Sequence, residues 1–201
     1  MTDTSLPKTL LQLAGADLSP AGWDESALVL IDCQNEYVTG AVPLAGVEAA
    51  LLECRALLAA ARDKGAPVIH IRHKGQPGGA FDWEQPRGAI CDAVAALDGE
   101  AVIGKTLPNS FAGTELDETL KANGRKKLVV AGFMTHMCVS ATVRSALDHG
   151  YFSTVVDAAC ATRDLPDGRG GVVAAADLHR AELAALADRF CVVAATAKEI
   201  S

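Results

Sequence analysis

The chain has no stretch of about 18 or more apolar residues, so nothing in it reads as a bilayer-spanning helix. Its start, MTDTSLPKTLLQLAG, lacks the basic beginning and long apolar stretch of a secretory signal. The expectation is a cytoplasmic protein with no membrane partner. Basic charge is also short: 18 Lys and Arg stand against 25 Asp and Glu, a net charge of −7, which leaves no basic patch for a phosphate backbone. Nucleic acid is set aside as a partner in favour of a small molecule. No C-x-x-C pair occurs, which removes the commonest zinc and dithiol arrangements. The six cysteines (Cys33, Cys54, Cys91, Cys138, Cys160 and Cys191) are scattered and read as free thiols. Also missing are G-x-G-x-x-G after the first strand-like run, G-x-x-x-x-G-K-[ST], and G-x-S-x-G. These absences argue against a Rossmann dehydrogenase, a P-loop site and a serine hydrolase.

What is present is a chain of 201 residues, half of them hydrophobic and only 21% charged, the size of one compact domain. An arm over residues 1–24 precedes a domain over 25–201. Apolar runs of strand length fall at 27–32, 67–72, 101–104, 127–132, 152–157 and 190–195. Segments of helical period lie between them, near 45–64, 87–97, 114–123, 137–149 and 171–187. Such alternation predicts an α/β fold, a three-layer α/β/α arrangement around a mostly parallel six-stranded sheet with Rossmann-like topology. Gly65, Gly124 and Gly150 each follow a helical segment where a left-handed cap is wanted.

Ligands of open parallel sheets bind beyond the carboxyl ends of the strands. Three chemistries collect there: Asp32 ends the first strand, Lys105 follows the third, and the loop after the fourth leads to Cys138. A cysteine nucleophile needs an activated thiolate. Thr135 is a plausible N-cap, and a helix start beneath Cys138, with Lys105 nearby, predicts a lowered thiol pKa. Asp32 could then carry the proton to a leaving amine. Taken singly the three have plainer readings, as a small core residue, a loop cap and a solvated lysine; the conjunction favours catalysis.

The segments LVLIDCQNEY, VIGKTLPNSFAGTEL and GFMTHMCVSATVRSALDHGY resemble three motifs of the isochorismatase-like cysteine hydrolases, in the same order, and the resemblance spans about residues 27–196. It implies an isochorismatase-like fold with Asp32 as general base and acid, Lys105 as stabilising cation and Cys138 as nucleophile. It further implies a cis peptide before Met134, with the N–H groups of Met134 and Cys138 forming an oxyanion hole. A cysteine at the nucleophile position points to hydrolysis of an amide, ureide or lactam-like C–N bond through a thioester. The alternatives are an isochorismatase-type ether hydrolase and a non-catalytic or redox-sensing member of the fold. The resemblance also implies a homodimer or homotetramer.

No cofactor is called for, and no metal is expected: HIRHKG stands where metal-dependent relatives carry Asp-x-His. His70 and His73, three apart on a continuing strand, would face opposite ways. His73 is expected to face the pocket, and His70 to be a satisfied core residue. Phe133, Tyr37, Gln34 and Trp83 are further candidate substrate contacts, Gln34 and Asn35 alternatively orienting the loop or the Asp32 carboxylate. His136 is expected to point away from Cys138. Residues 74–88, with Phe81 and Trp83, are either a lid or a surface loop tacked down by aromatics.

Overall fold

The computed structural model describes residues 6–201, so the first five residues of the expected arm lie outside the described residues. The elements in chain order are α1 (Leu10–Leu13), β1 (Ser26–Ile31), α2 (Val47–Asp63), β2 (Val68–His73), β3 (Ala101–Lys105), α3 (Leu116–Ala122), β4 (Lys127–Phe133), α4 (Ser140–Asp148), β5 (Phe152–Ala161), β6 (Leu165–Pro166), β7 (Val172–Val173), α5 (Ala175–Arg189) and β8 (Cys191–Ala194).

Six strands form one sheet in the order β3-β2-β1-β4-β5-β8, with every pairing parallel. The strand order therefore reverses between β1 and β4, where an open α/β sheet makes its crevice. Every residue of β1 is buried, as expected of a central parallel strand covered on both faces. Alternate residues go to opposite faces. Leu28 and Leu30, with Val129 and Ala131, pack against Cys54, Leu57 and Leu58 of α2. Val29 and Ile31, with Val130, pack against Leu116 and Leu120 of α3, Val143 of α4 and Leu186 of α5. Three layers follow directly from that two-residue period.

Helix ends behave as the sequence suggests: Gly65, Gly124 and Gly150 all take positive φ, between +66° and +81°. The arm runs over the sheet's far edge. Leu10 N–H donates to Asp188 of α5 at 2.8 Å, and Ala21 N–H donates to the Thr154 hydroxyl at 3.0 Å. Among the described residues no helix is long and apolar enough to cross a membrane.

Two expectations fail. No α-helix spans 87–97; the segment holds only short 3-10 turns at Pro86–Gly88 and Asp92–Val94. Its backbone groups are taken by the loop after β1. Asn35 N–H donates to Ala89 O at 3.0 Å, Cys91 N–H to Cys33 O at 2.8 Å, and the Gln34 amide to Gly88 O at 2.8 Å. Those bonds replace helical ones and draw the segment against the sheet's carboxyl edge. The second failure concerns residues 137–149, where the α-helix begins only at Ser140 and a π-helical turn, Thr135–Val139, precedes it.

Candidate active site

Asp32 is the residue after β1. Its backbone sits in the left-handed region at φ +51°, a conformation uncommon for a non-glycine residue and concentrated at functional positions. Its N–H still pairs with Ile71 O of β2 at 3.0 Å, so the turn away from the sheet occurs at this residue. Lys105 closes β3 and reaches across β2. Its Nζ lies 2.7 Å from Asp32 Oδ2, 3.2 Å from Cys138 Sγ and 3.3 Å from His73 Nδ1, with Leu107 O at 3.2 Å. One ammonium thus touches both other groups of the expected trio. All three side chains are buried, with exposures of 0% for Asp32, 2% for Lys105 and 4% for Cys138.

The turn that carries Cys138 is wider than an α-turn: Val139 N–H donates to Met134 O at 3.2 Å, five residues back. The Phe133–Met134 peptide before it is cis. Thr135 is not the cap. Its hydroxyl lies 3.1 Å from Ala161 O and 2.8 Å from His179 Nδ1, while His179 Nε2 lies 2.7 Å from Asp157. Those contacts tie the turn to β5 and α5 and leave the helix end without a side-chain cap.

The expected lowering of the thiol pKa is reversed. Burial, then the Asp32 charge, push the Cys138 thiol up to about 12, and Lys105 offsets only part of this. Asp32 is raised as well, again chiefly by burial, against the pull of Lys105. An ion pair at 2.7 Å is worth about 6 kcal/mol at an effective dielectric constant of about 20, while burying each charge costs several kcal/mol. Burial outweighs pairing here. The resting site holds a protonated thiol beside a carboxylate of raised basicity, with an ammonium touching both. That arrangement can pass the thiol proton to Asp32 as the sulfur attacks, without maintaining a standing thiolate.

His73 closes β2, and its Nδ1 lies 3.3 Å from Lys105 Nζ. Burial and the neighbouring Lys105 lower its pKa to about 4, so the ring is neutral and Nδ1 accepts from Lys105. Its ring packs edge-on against Phe81 at 5.2 Å; Phe81 meets Tyr37 at 5.0 Å, and Tyr37 meets Phe133 at 5.8 Å. Phe133 is fully buried, so it backs Tyr37 and does not line an open space.

Gln34 does not reach toward Asp32 or a pocket. Its Oε1 accepts from His73 N–H at 2.8 Å, and its Nε2 donates to His73 O at 3.0 Å and Gly88 O at 2.8 Å. The side chain acts as a strand segment that fixes His73. The Asn35 side chain likewise donates to Pro86 O, at 3.1 Å. Trp83 also turns to the framework: its Nε1 donates to His73 O at 2.8 Å, Arg72 lies over its ring at 4.3 Å, and a Cβ at Gly104 would come within 2.7 Å of that ring. Trp83 braces the β2–β3 edge behind the site.

Between the two readings of residues 74–88, the fastened loop holds. Glu36, fully buried, is the fastener: Oε2 accepts from Phe81 N–H at 3.1 Å and lies 3.5 Å from Arg87 Nε, and Oε1 accepts from Ala41 N–H at 2.6 Å. Arg87 also donates to Gly78 O and Gly79 O at 2.9 and 2.8 Å. Sequence reasoning passed over Glu36, although a carboxylate within the motif LVLIDCQNEY, five residues before the apolar run AVPLAG, was a signal. His70 is a core residue, its Nε2 3.0 Å from Glu100. His136 Nδ1 lies 2.6 Å from the Thr162 hydroxyl and makes no pair with Cys138. Among the described residues, no group of three or more His, Cys, Asp or Glu is placed to hold a metal ion.

Residues 26–198 match the family model described as "Isochorismatase domain". The isochorismatase family protein YddQ of Bacillus subtilis is 41% identical over 174 residues, covering 85% of this chain and 96% of its own. Maleamate amidohydrolase of Pseudomonas putida is 36% identical over 147 residues, covering 65% of this chain and 69% of its own. The crystal structure of an isochorismatase from Pseudomonas putida KT2440 superposes with a TM-score of 0.93 at 43% identity, covering 98% of this chain and all of that one.

Proposed function

The chain belongs to the isochorismatase family, whose members include amidohydrolases, and we propose that it is a cysteine-dependent hydrolase of C–N bonds in a small molecule. The observation that carries this reading is the position of Lys105 Nζ, 2.7 Å from Asp32 and 3.2 Å from Cys138. Asp32 takes the Cys138 proton as the sulfur attacks an amide, ureide or lactam-like carbonyl. Lys105 compensates the negative charge that moves from carboxylate to sulfur. The backbone N–H groups of Met134 and Cys138 receive the tetrahedral oxyanion. Asp32 returns its proton to the departing nitrogen, a thioester remains on Cys138, and water activated by Asp32 releases the acid. Nothing in this sequence of steps requires a cofactor.

A redox-sensing role is disfavoured because a sensor needs an exposed thiolate. Cys138 is buried and its thiol is raised. An ether hydrolase is disfavoured by the cysteine itself. The six free thiols, all buried, support a reducing compartment, the cytoplasm. Exposed Leu107 and Met137, close in sequence to Lys105 and Cys138, support a homodimer or homotetramer with partners near the site.

The test is ammonia release from a panel of small amides, ureides and lactams by wild type, Cys138→Ala and Asp32→Ala. Both variants are expected to lose at least ~1000-fold in kcat/KM. Activity that survives Cys138→Ala overturns the mechanism.

A further inference from the structure

The turn that carries Cys138 is tied by side chains on both sides of the thiol, and the ties run one way. Thr135 Oγ1, three residues before it, lies 2.8 Å from His179 Nδ1 and 3.1 Å from Ala161 O. Ser140, two residues after it, donates to Glu182 Oε1 at 2.6 Å. His136 Nδ1 lies 2.6 Å from the hydroxyl of Thr162, the residue that follows β5. None of these bonds reaches β1 or β3, the strands that bring Asp32 and Lys105 to the centre. The thiol is therefore seated from α5 and the end of β5, and its two partners from the other strands.

His179 and Glu182 stand three apart on α5 and so share one face of that helix. Each has a charged partner on its outer side. His179 Nε2 lies 2.7 Å from Asp157, and Glu182 pairs with Arg144 of α4 at 3.1 Å. A carboxylate only accepts, so Nε2–H points to Asp157, and in the neutral ring Nδ1 accepts the Thr135 O–H. The inner ends of both ties are buried hydroxyls, whereas the charged outer ends are partly exposed. The charges thus keep their hydration while each hydroxyl meets a strong partner, and the Ser140 bond has the length of a charge-assisted one. Asp157, His179 and Thr135 also follow the acid, imidazole, hydroxyl order of a hydrolytic triad. Thr135 has no exposed surface, so no substrate can reach it, and the array is left with holding the turn.

We propose that His179 and Glu182 are positioning residues: through Thr135 and Ser140 they grip the turn on both sides of Cys138 and hold its thiol in line with Lys105 and Asp32. This deepens the cysteine-hydrolase reading and rests on it. The alignment has little slack. Cys138 Sγ is 3.2 Å from Lys105 Nζ, and a drift of about 1 Å would carry the pair beyond hydrogen-bond reach. The turn has no side-chain cap of its own, so its ties to α5 and β5 are what oppose such a drift. A turn released from α5 would also open the sulfur to water, undoing the burial that keeps the thiol protonated. Weakening the grip should therefore make Cys138 easier to alkylate and poorer at catalysis, two effects of opposite sign.

The test sets Thr135→Val and Glu182→Leu, which each remove a tie, beside Thr135→Ser and Glu182→Gln, which keep a hydroxyl or an acceptor in place. Iodoacetamide labelling at one fixed pH is followed peptide by peptide. In the two disrupting variants Cys138 is expected to label about tenfold faster, with buried Cys54 and Cys191 unchanged, because losing one strong hydrogen bond makes local opening about tenfold more frequent. In ammonia release kcat should fall about tenfold or more while KM stays within about twofold, and the two conservative variants should remain within about threefold of wild type throughout. Labelling that rises at all three cysteines together, or at none, overturns the grip, because a role in general stability would loosen the whole chain. A loss in Thr135→Ser and Glu182→Gln equal to that in Thr135→Val and Glu182→Leu overturns it too. Labelling needs no turnover, which separates the two readings. Selective labelling in a protein that hydrolyses no compound of the panel sinks the hydrolase alone; hydrolysis with labelling unaltered in the variants sinks the grip alone.

Discussion

Gly132 and Ile31 meet at the switch point with no space between them: a Cβ on Gly132 would stand 2.1 Å from the Ile31 carbonyl oxygen and 2.7 Å from its nitrogen. The φ of +118° at Gly132 is a second requirement for glycine. Ile31 precedes Asp32, and Gly132 leads into the turn of Cys138, so this contact sets how far the carboxylate stands from the thiol. Gly132→Ala is expected to cost about 2–4 kcal/mol of stability. It should also lower kcat/KM about 100-fold in the fraction that folds, because a displacement near 1 Å has that effect. Thermal unfolding beside ammonia release checks both, and an active, stable variant would show that the close contact positions nothing.

The direction of the thiol pKa makes a separate prediction. With Cys138 held up to about 12, alkylation by iodoacetamide should speed up about tenfold per pH unit from pH 6 to 10 with no plateau. Removing the neighbouring anion in Asp32→Asn lowers the thiol pKa and shifts the curve to lower pH, so labelling at pH 7 becomes faster while hydrolysis is lost. Peptide mass spectrometry at Cys138 reads both curves. A wild-type plateau below pH 8 would mean a standing thiolate.

That thiol marks where reading the sequence stops. The sheet was legible because β1, β3 and β4 carry apolar runs, β1 followed by Asp32, β3 ending in Lys105 and β4 leading into the turn of Cys138, and a parallel sheet gathers such ends on one rim. Asp32, Lys105 and Cys138 came together for that reason. The sign of the pKa shift was not legible, because a helix start is a local feature whereas burial depends on what the rest of the chain packs over the site. The same holds for Gln34, whose amide is bonded to the backbone of His73, 39 residues away, and for residues 87–97, whose helical period lost to hydrogen bonds with the loop after β1.

Glu36 is expected to govern the order of residues 74–88. In Glu36→Gln the new amide must face either the Phe81 N–H or the Ala41 N–H with its own N–H₂, donor against donor, and the contact with Arg87 loses its charge. The expected cost is about 1–3 kcal/mol. Phe81, freed from its left-handed position, should leave the edge contacts with His73 and Tyr37. Limited proteolysis should then cut within 74–88 in the variant and not in wild type, with KM raised more than kcat is lowered. Resistance to proteolysis equal to wild type would make Glu36 a passive core residue.

Glu100 carries the clearest dependence of stability on pH. Arg62 grips it twice, Nε to Oε1 at 2.7 Å and an Nη to Oε2 at 2.8 Å, while Leu97 N–H donates at 2.9 Å and His70 Nε2 lies at 3.0 Å. Arg62 chiefly, then these donors, hold the carboxyl down to about 2, from an ordinary value of 4.5. A depressed carboxyl contributes stability that is fully present above its unfolded pKa and disappears as pH falls through the folded one. The contribution is about 3 kcal/mol at pH 7, and it should decline from about pH 5 to pH 2. His70 acts in the same direction: burial lowers its pKa, so acid protonates the unfolded ring first and costs further stability below about pH 6.5. Urea unfolding of wild type and Glu100→Gln at pH 7, 4 and 2 should show a gap of about 3 kcal/mol that closes as the carboxyl is protonated. A gap of constant size would place the loss in hydrogen-bond geometry and not in the charge, because only the charge is titrated over that range.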